Sequence, residues 1–388
     1  MSRRGPAAAP RPIRVVHVAE SAGWAGGEVY LRELARALPR ERFELAVVAP
    51  EAGPLVSRLR AEGVLTIVLP QAGSLASPPF LRELARRLRA LRPDIVQSHG
   101  ARTNFYARLA CRLAGVRCHV STVHNSLYDY PVGAARRAAY LALDRLTAPL
   151  SQVIVCVAQS LARDLVERSR LPAGRVVVIP NGVDLVRFDP GAGDGGRIRH
   201  ELGLGHGPVV GIVGRMTPQK SHADFLEAFA LVRRCAVGAR ALIVGDGPLR
   251  GAIEGDARAR GLAEACVFAG VRDDIPGCLA AMSAVALSSH SEGFPFTVLE
   301  ALAMARPLAA TAVNGVTEVV EHGRNGLLVP PRRPEALGEA LAGLLGDPVR
   351  AAALGRAGRQ TVEARYGLAR MVERLGDLYQ SLLGGAPA

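Results

Sequence analysis

The chain is almost without lysine. Of its 388 residues one is lysine, Lys220, against 47 arginines. Aromatic residues are also scarce, at 4%, with a single tryptophan. A basic half without interleaved aromatics, and without a recognisable binding motif, argues against a nucleic-acid binder. The six cysteines (Cys111, Cys118, Cys156, Cys235, Cys266, Cys278) show no CxxC and no paired spacing. Most sit in apolar runs and read as buried thiols, so no disulfide framework or zinc site is expected. No apolar run approaches the roughly 20 residues that span a bilayer. The opening MSRRGPAAAPRP is basic but has no apolar core, so residues 1–12 read as a disordered tail, not a signal peptide. A cytoplasmic location follows as the expectation, with peripheral attachment to the inner face of the membrane as its extension.

Acidic residues are outnumbered in one half only. Residues 1–182 carry 26 arginines and 13 acidic side chains, whereas residues 183–388 carry 22 of each sign. A one-sided basic region suggests an anionic partner, whether nucleic acid, phosphate groups or a lipid surface; solubility alone is the plainer alternative.

What the chain does have is aliphatic mass. Hydrophobic residues make up 49%, enough for more than one core and too many for a disordered chain. Short apolar runs alternate with amphipathic segments. The first half offers 13-IRVVHVA, 45-LAVVA, 64-VLTIVLP, 94-DIVQSH, 118-CHVSTVH, 152-QVIVCVA and 176-VVVIPNG as strands. Residues 184–207, rich in Gly and Asp, interrupt the pattern and read as a linker. The alternation resumes with 208-PVVGIVGR, 240-RALIVGDG, 266-CVFAG, 284-AVALSS, 307-PLAATA and 326-GLLVP, with helices expected near 221–236, 248–260, 296–305 and 334–345. Continuous apolar strands separated by helices imply parallel sheets covered on both faces. The expectation is an α/β protein of two doubly wound, Rossmann-like domains, 13–183 and 208–369, followed by a last segment, 370–388. Ligands of such sheets bind beyond the carboxyl ends of the strands, which points to a cleft between the domains.

The residues that can carry chemistry lie at those strand ends. In 213-VGRMTPQK, Gly214 ends a strand and Arg215 and Lys220 share the loop before a helix, a setting that suits a diphosphate and the negative charge that grows on a phosphate leaving group. In 288-SSHSEGFPFTVLEALAMARP, Glu292 lies in a loop and Pro295 fits a first helical turn. The free amides of Phe296 and Thr297 can cradle phosphate, and Glu300 sits in an apolar helix face where an unpaired charge is costly. The turn 244-VGDGP, with Asp246, is a weak signal that could be only a turn. Gly26 and Gly27 start a helix after the first strand, a candidate anion site without the spacing of a dinucleotide fingerprint. His99 and His124 both end strands, whereas His17 reads as core. No nucleophilic Ser or Cys motif and no metal cluster is evident.

Together these pieces resemble a known family. Gly26-Gly27-Glu28, 93-PDIVQSH, 121-STVHN, 179-IPNGVD, 213-VGRMTPQK, 243-IVGDGP and the E-x7-E pair Glu292 and Glu300, in that order, are similar to the retaining GT-B glycosyltransferases of family 4 (glycosyl transferases group 1). The resemblance implies an enzyme that uses a nucleotide-diphosphate sugar (UDP-, GDP- or ADP-linked), a hydroxyl acceptor, no metal and no further cofactor. Its implied catalytic set is Arg215, Lys220, Glu292 and His124. Gly27, Gly214, Asp246, Arg272, Phe294, Pro295, Phe296, Thr297 and Glu300 would bind donor, and Gly26, His99 and Asn125 would lie on the acceptor side. The N-terminal domain would hold the acceptor, expected to be a lipid-linked or cell-envelope glycan, and the last helix, near 370–383, would cross back to it. Three departures stand out: Ser221 where Gly is frequent, Asn314 where a Gly-Gly pair is common, and Ser283 in place of an often acidic residue. Pro295 has no N–H to offer a sugar.

Helix 80–92 places Leu81, Leu84, Leu88 and Leu91 on one face, with Arg82, Arg86 and Arg89 around the flank. It reads either as a core-facing helix with a solvated basic side or as an anionic-lipid docking helix. Rival functions on the same architecture are a phosphorylase holding pyridoxal phosphate on Lys220, a nucleotide-sugar epimerase and a non-catalytic nucleotide-sugar sensor. A cofactor absorbance band, product analysis and absence of turnover, respectively, would identify them.

Overall fold

This computed structural model describes residues 11–71, 77–129 and 132–384. Most of the expected N-terminal tail, residues 1–10, and the final residues 385–388 lie outside them. Contacts divide the chain into two units: residues 1–156, 164–177 and 372–388 form one, and 157–163 and 178–371 the other.

The first unit is built on a seven-stranded sheet: β1 (Ile13–Val18), β2 (Phe43–Ala49), β3 (Leu65–Val68), β4 (Ile95–His99), β5 (Cys118–Val123), β6 (Val153–Cys156) and β7 (Val176–Val178). All seven fall on the apolar runs of the sequence. The spatial order is β3-β2-β1-β4-β5-β6-β7. β1 pairs in parallel with β2, Ile13 opposite Phe43 through Val18 opposite Val48. β-branched side chains suit such a sheet because both of its faces are buried. Strand order reverses between β1 and β4, which opens a crevice beyond their carboxyl ends.

Helix Pro78–Leu91 shows how the amphipathic segments are used. Pro78 and Pro79 occupy its first turn, where a missing N–H costs nothing, and Arg92, left-handed at φ 49°, ends it. Leu84 and Leu88 are buried with Phe80 against Val16, Val48 and Val96, and Leu81 and Leu91 pack at the edge. Each fully buried leucine stabilises by about 1.5–3 kcal/mol. Arg82, Arg86 and Arg89 face solvent. The leucine stripe therefore serves the core and leaves no apolar face for lipid.

The first unit also buries polarity that no periodicity announces. Arg108, 1% exposed, donates to Asp144 Oδ1 (2.7 Å), Thr147 Oγ1 (3.1 Å) and Ser151 Oγ (3.0 Å). The His119 ring lies 3.0 Å from the hydroxyls of both Ser98 and Ser151. This network ties helix Ala101–Ala114 to helix Ala134–Thr147 behind β5.

The second unit repeats the plan with six strands: β8 (Val209–Val213), β9 (Arg240–Val244), β10 (Cys266–Gly270), β11 (Ala284–Leu287), β12 (Leu308–Thr311) and β13 (Leu327–Val329). Their order is β10-β9-β8-β11-β12-β13, so the reversal lies between β8 and β11. Phe225, Leu226, Phe229, Leu337 and Leu341 cover the sheet's buried Val210, Ile212, Ala241 and Ile243. Segment 184–207, expected as a linker, belongs to this unit. It contains helix Gly195–Glu201, capped by the Asp194 side chain on the Arg197 N–H at 2.8 Å. Gly195 packs so closely on helix Ile275–Ala281 that a Cβ would come within 2.6 Å of the Ala280 backbone.

Helix Leu368–Gly384 starts in the second unit and from Val372 belongs to the first. There the buried Tyr379 hydroxyl donates to Gln97 Oε1, and its ring meets Phe43 edge-on at 5.8 Å. Five of the six thiols are buried, and Cys235 is exposed. Among the described residues no helix is long and apolar enough to cross a membrane.

Candidate active site

In the second unit the loops after β8 and β11 flank the reversal. Between them lies a buried ion pair: Lys220 Nζ is 2.6 Å from Glu292 Oε1, with side chains 21% and 6% exposed. The same carboxylate oxygen accepts from Ser289 Oγ at 2.6 Å. Glu292 is thus held from two sides, and the ammonium keeps donors to spare. Gly214 lies under the lysine stem, where a Cβ would sit 3.8 Å from its carbons. The loops are stitched together by Gln219 Nε2 to Ser291 O (2.7 Å), His290 N to Gln219 O (2.8 Å) and His290 Nε2 to Asp224 Oδ2 (2.8 Å). Ser288 Oγ lies 2.9 Å from both Lys220 O and Ser221 O.

Arg215 shares that loop but is exposed, and among the described residues its guanidinium forms no hydrogen bond or ion pair. Helix Phe296–Ala303 begins at the expected residue, but Pro295 is the residue before its first turn and not within it. Among the described residues the Phe296 and Thr297 amides have no backbone acceptor, as expected of a helix start. Thr297 Oγ1 donates to Val213 O at 3.1 Å, which fixes the helix over β8. Phe294 is buried against Tyr366, and its carbonyl accepts from Asn181 Nδ2 at 2.7 Å. Glu300 is half-buried on the same helix.

Two of the sequence departures fall on special backbone. Ser221 (φ 43°) and Asn314 (φ 29°) both take the left-handed region that glycine adopts at no steric cost. Ser221 ends the Lys220 turn in the form a glycine would give it. Beside Asn314, Gly315 is indispensable, since a Cβ there would lie 1.9 Å from Gly293 O.

The glycine turn after β9 packs on the Arg215 loop: Met216 N donates to Asp246 O at 2.9 Å, and a Cβ on Gly247 would strike Met216 O. The exposed Asp246 carboxylate is occupied locally by Gly247 N and Arg250. Arg272 stands apart from Lys220 and Glu292 in these contacts. Its guanidinium is bound by both oxygens of Asp274 and by Glu201, which raise its pKa, and Arg272 in turn depresses that of Asp274.

In the first unit, His99 and His124 do come together. His99 Nδ1 is 3.0 Å from His124 Nε2, and the rings stack. His99 also approaches His17, Nε2 to Nδ1 at 3.0 Å. With both nitrogens occupied and 3% exposure, His99 offers no free nitrogen for the acceptor-side contact expected of it. Burial lowers the pKa of His17 to about 3 and that of His124 to about 4, so these rings are neutral near pH 7. Asn125 is exposed beside them. Gly26 and Gly27 open helix Gly26–Ala37, the space over Gly27 is free, and Glu28 Oε2 accepts from Ala25 N at 2.9 Å.

Sequence reasoning passed over Glu20. Its carboxylate occupies the space that Gly100 leaves by lacking a Cβ. Burial, with Glu28 adding to it and Arg102 opposing, raises its pKa to about 7. Ser289 and His17 were also missed as partners of Glu292 and His99. Only their positions at strand ends could have flagged them.

Comparison with known proteins bears on these sites. Residues 207–347 match the family model for glycosyl transferases group 1, and residues 24–187 match that for glycosyltransferase family 4. The chain is 28% identical to the UDP-Gal:alpha-D-GlcNAc-diphosphoundecaprenol alpha-1,3-galactosyltransferase of Escherichia coli, over 88% of this chain and 90% of that one. It is 32% identical to a GDP-mannose-dependent alpha-(1-6)-phosphatidylinositol monomannoside mannosyltransferase of Mycobacterium tuberculosis, over 53% of this chain and 56% of that one. Its fold superposes on Anabaena HepE, solved with UDP-glucose, with a TM-score of 0.85 at 21% identity, covering 95% of this chain and all of that one.

Proposed function

The chain belongs to the family 4 glycosyltransferases of the GT-B fold, and we propose that it transfers a hexosyl group from a nucleotide-diphosphate sugar to a hydroxyl acceptor with retained anomeric configuration, without a metal. The observation that carries this reading is the Lys220–Glu292 pair at the β8/β11 reversal, with Arg215, unpartnered among the described residues, in the same loop. Lys220 and Arg215 bind the diphosphate. Glu292, fixed by Lys220 and Ser289, accepts hydrogen bonds from the sugar, and Glu300 accepts from the ribose. The Phe296 and Thr297 amides line the phosphates, while Gly214 and Phe294 shape the floor. His124 donates to the transferred sugar.

In the reaction the bond between the anomeric carbon and the phosphate oxygen breaks as the two cations absorb the growing charge. The acceptor oxygen bonds to the same face of that carbon, and its proton passes to the departing phosphate. The N-terminal unit holds the acceptor. Its basic excess supports an anionic, lipid-linked or cell-envelope glycan, and so does a cavity of about 650 Å³ lined by Tyr128, Leu141, Arg145, Leu146, Pro149 and Arg168. Leu146, 76% exposed, offers that surface an apolar contact. Co-sedimentation with anionic vesicles at low salt tests peripheral attachment, and its absence removes that part.

The donor is found by thermal shift with UDP-, GDP- and ADP-sugars, since a ligand at 100 times its Kd adds about 2.7 kcal/mol. The catalytic claim is tested with Lys220→Met. Loss of a cation from the leaving group should lower kcat by roughly 10²–10³-fold. Because Lys220→Met also strands a buried carboxylate, the double variant Lys220→Met/Glu292→Gln is made alongside. It should regain stability and stay inactive. Wild-type turnover in Lys220→Met would overturn the assignment.

A further inference from the structure

His17, His99 and His124 stand in file across the carboxyl ends of β1, β4 and β5. Successive ring nitrogens are 3.0 Å apart, and both ring pairs stack with centroids at 5.3 Å. Tyr30 closes one side, its ring edge-on to His124 at 5.1 Å and tilted against His99 at 5.6 Å. A neutral imidazole has one N–H donor and one bare acceptor nitrogen. Two hydrogen bonds in series therefore lock all three rings in the same sense, and the file has two arrangements only. In one, every ring carries its proton on Nε2, and the terminal donor is His17 Nε2–H. In the other, every ring carries it on Nδ1, and the terminal donor is His124 Nδ1–H.

His17 decides between them. It is 0% exposed, and its Nε2 has no hydrogen-bond partner among the described residues. The first arrangement buries an unmet N–H there. The second leaves only a bare lone pair, and unmet buried donors are the rarer of the two. It also moves the spare donor to half-buried His124, at the open end of the file.

We propose that His17 and His99 are positioning residues that hold His124 in the Nδ1-protonated tautomer, so that it meets its ligand as a hydrogen-bond donor and not as a general base. With Nε2 engaged by His99, His124 has no free nitrogen to accept a proton. The role of the ligand rests on the proposed glycosyl transfer; the tautomer does not.

The test is histidine-selective ¹⁵N labelling of the full chain and long-range ¹⁵N–¹H correlation of the rings at pH 7.5 without ligand. Peaks of the nine histidines are assigned by single substitutions. His17, His99 and His124 should each show a pyrrole-type Nδ1 and a pyridine-type Nε2. A pyrrole-type Nε2 on His124, or a mixture of tautomers, overturns the proposal. In His17→Asn an amide replaces the donor to His99, and the His124 pattern should persist. In His17→Phe that donor is gone, and the Nε2–H form of His124 should appear. An unchanged His124 pattern in His17→Phe overturns the role of His17. Should that variant fail to fold, the wild-type and His17→Asn spectra decide. A correct tautomer in a chain that transfers no sugar would sink the functional reading and leave the relay standing.

Discussion

The two sheets reverse strand order in the same way, yet the groups at the reversals are opposite in kind. At β1/β4 the strand ends carry neutral imidazoles, with His17 and His99 fully buried. At β8/β11 they carry an ammonium against a carboxylate, with a free guanidinium in the same loop. Topology determines where a site forms, and residue type determines what it does. A neutral file can orient one hydrogen bond, whereas a paired ammonium keeps charged donors for an anion. The pH and the buried charges offer ways to break this contrast.

Acid should separate the units first. His17, His99, His119 and the half-buried His124 lie in the first unit and His222 in the second, and burial is the leading cause that lowers all five pKa values. Below the ordinary value of about 6.5 the unfolded chain takes up protons that the folded one refuses, so stability falls with pH. Four such groups cost about 5 kcal/mol per pH unit, and one costs about 1.4. The first unit should therefore unfold at a higher pH than the second. The single tryptophan, Trp24, lies in the first unit against Arg58 and reports its transition. Hydrogen exchange follows the second. Simultaneous loss of both units would break the contrast.

Next comes the buried Arg108–Asp144 ion pair of the first unit. Arg108→Met strands the Asp144 carboxylate, which is 10% exposed, and should cost about 3–5 kcal/mol in urea unfolding. Asp144→Asn in the same chain should recover part of it. Full stability of Arg108→Met would mean that the seam of Arg108, His119 and Ser151 is not structural.

A smaller effect of the opposite sign belongs to Glu20. Its folded pKa of about 7 exceeds the ordinary 4.5, so between those values the folded chain keeps a proton that the unfolded one has lost. Stability then falls as pH rises, by about 2 kcal/mol for a side chain that is only half-buried. Glu20→Gln should flatten the stability curve between pH 5 and 7 and leave the acid limb of the histidines in place.

These contrasts also mark how far the sequence could be read. All thirteen strands of the described residues lie on apolar runs because burial on both faces writes itself as continuous Val, Ile, Leu and Ala. Lys220 and Glu292 were legible because each follows such a run in a glycine-containing loop. Arg108 and His119 were not, since a buried polar group is recognised by its partners, here Asp144 and Ser151, and those are distant in sequence. Segment 184–207 misled for a related reason. Its glycines look like a linker but permit close packing on helix Ile275–Ala281. Arg272 was legible as a cation, but its commitment to Asp274 and Glu201 was not.

The smallest expected effect concerns the lone lysine itself. Composition leaves open whether one lysine among 47 arginines is a constraint or an accident of codon bias. The geometry favours constraint. Lys220 Nζ reaches Glu292 Oε1 over Gly214, and Ser289 already occupies that oxygen. A compact ammonium can hold that carboxylate and turn its other donors to phosphate. A planar guanidinium fixes its donors in one fork and needs a wider approach. Lys220→Arg keeps the charge, so the fold should persist, and kcat should fall about tenfold, far less than in Lys220→Met, because charge is retained and only its placement is lost. Equal turnover of Lys220→Arg and wild type would show that this site asks only for positive charge. The chemistry of the second unit would then be less particular than that of the first.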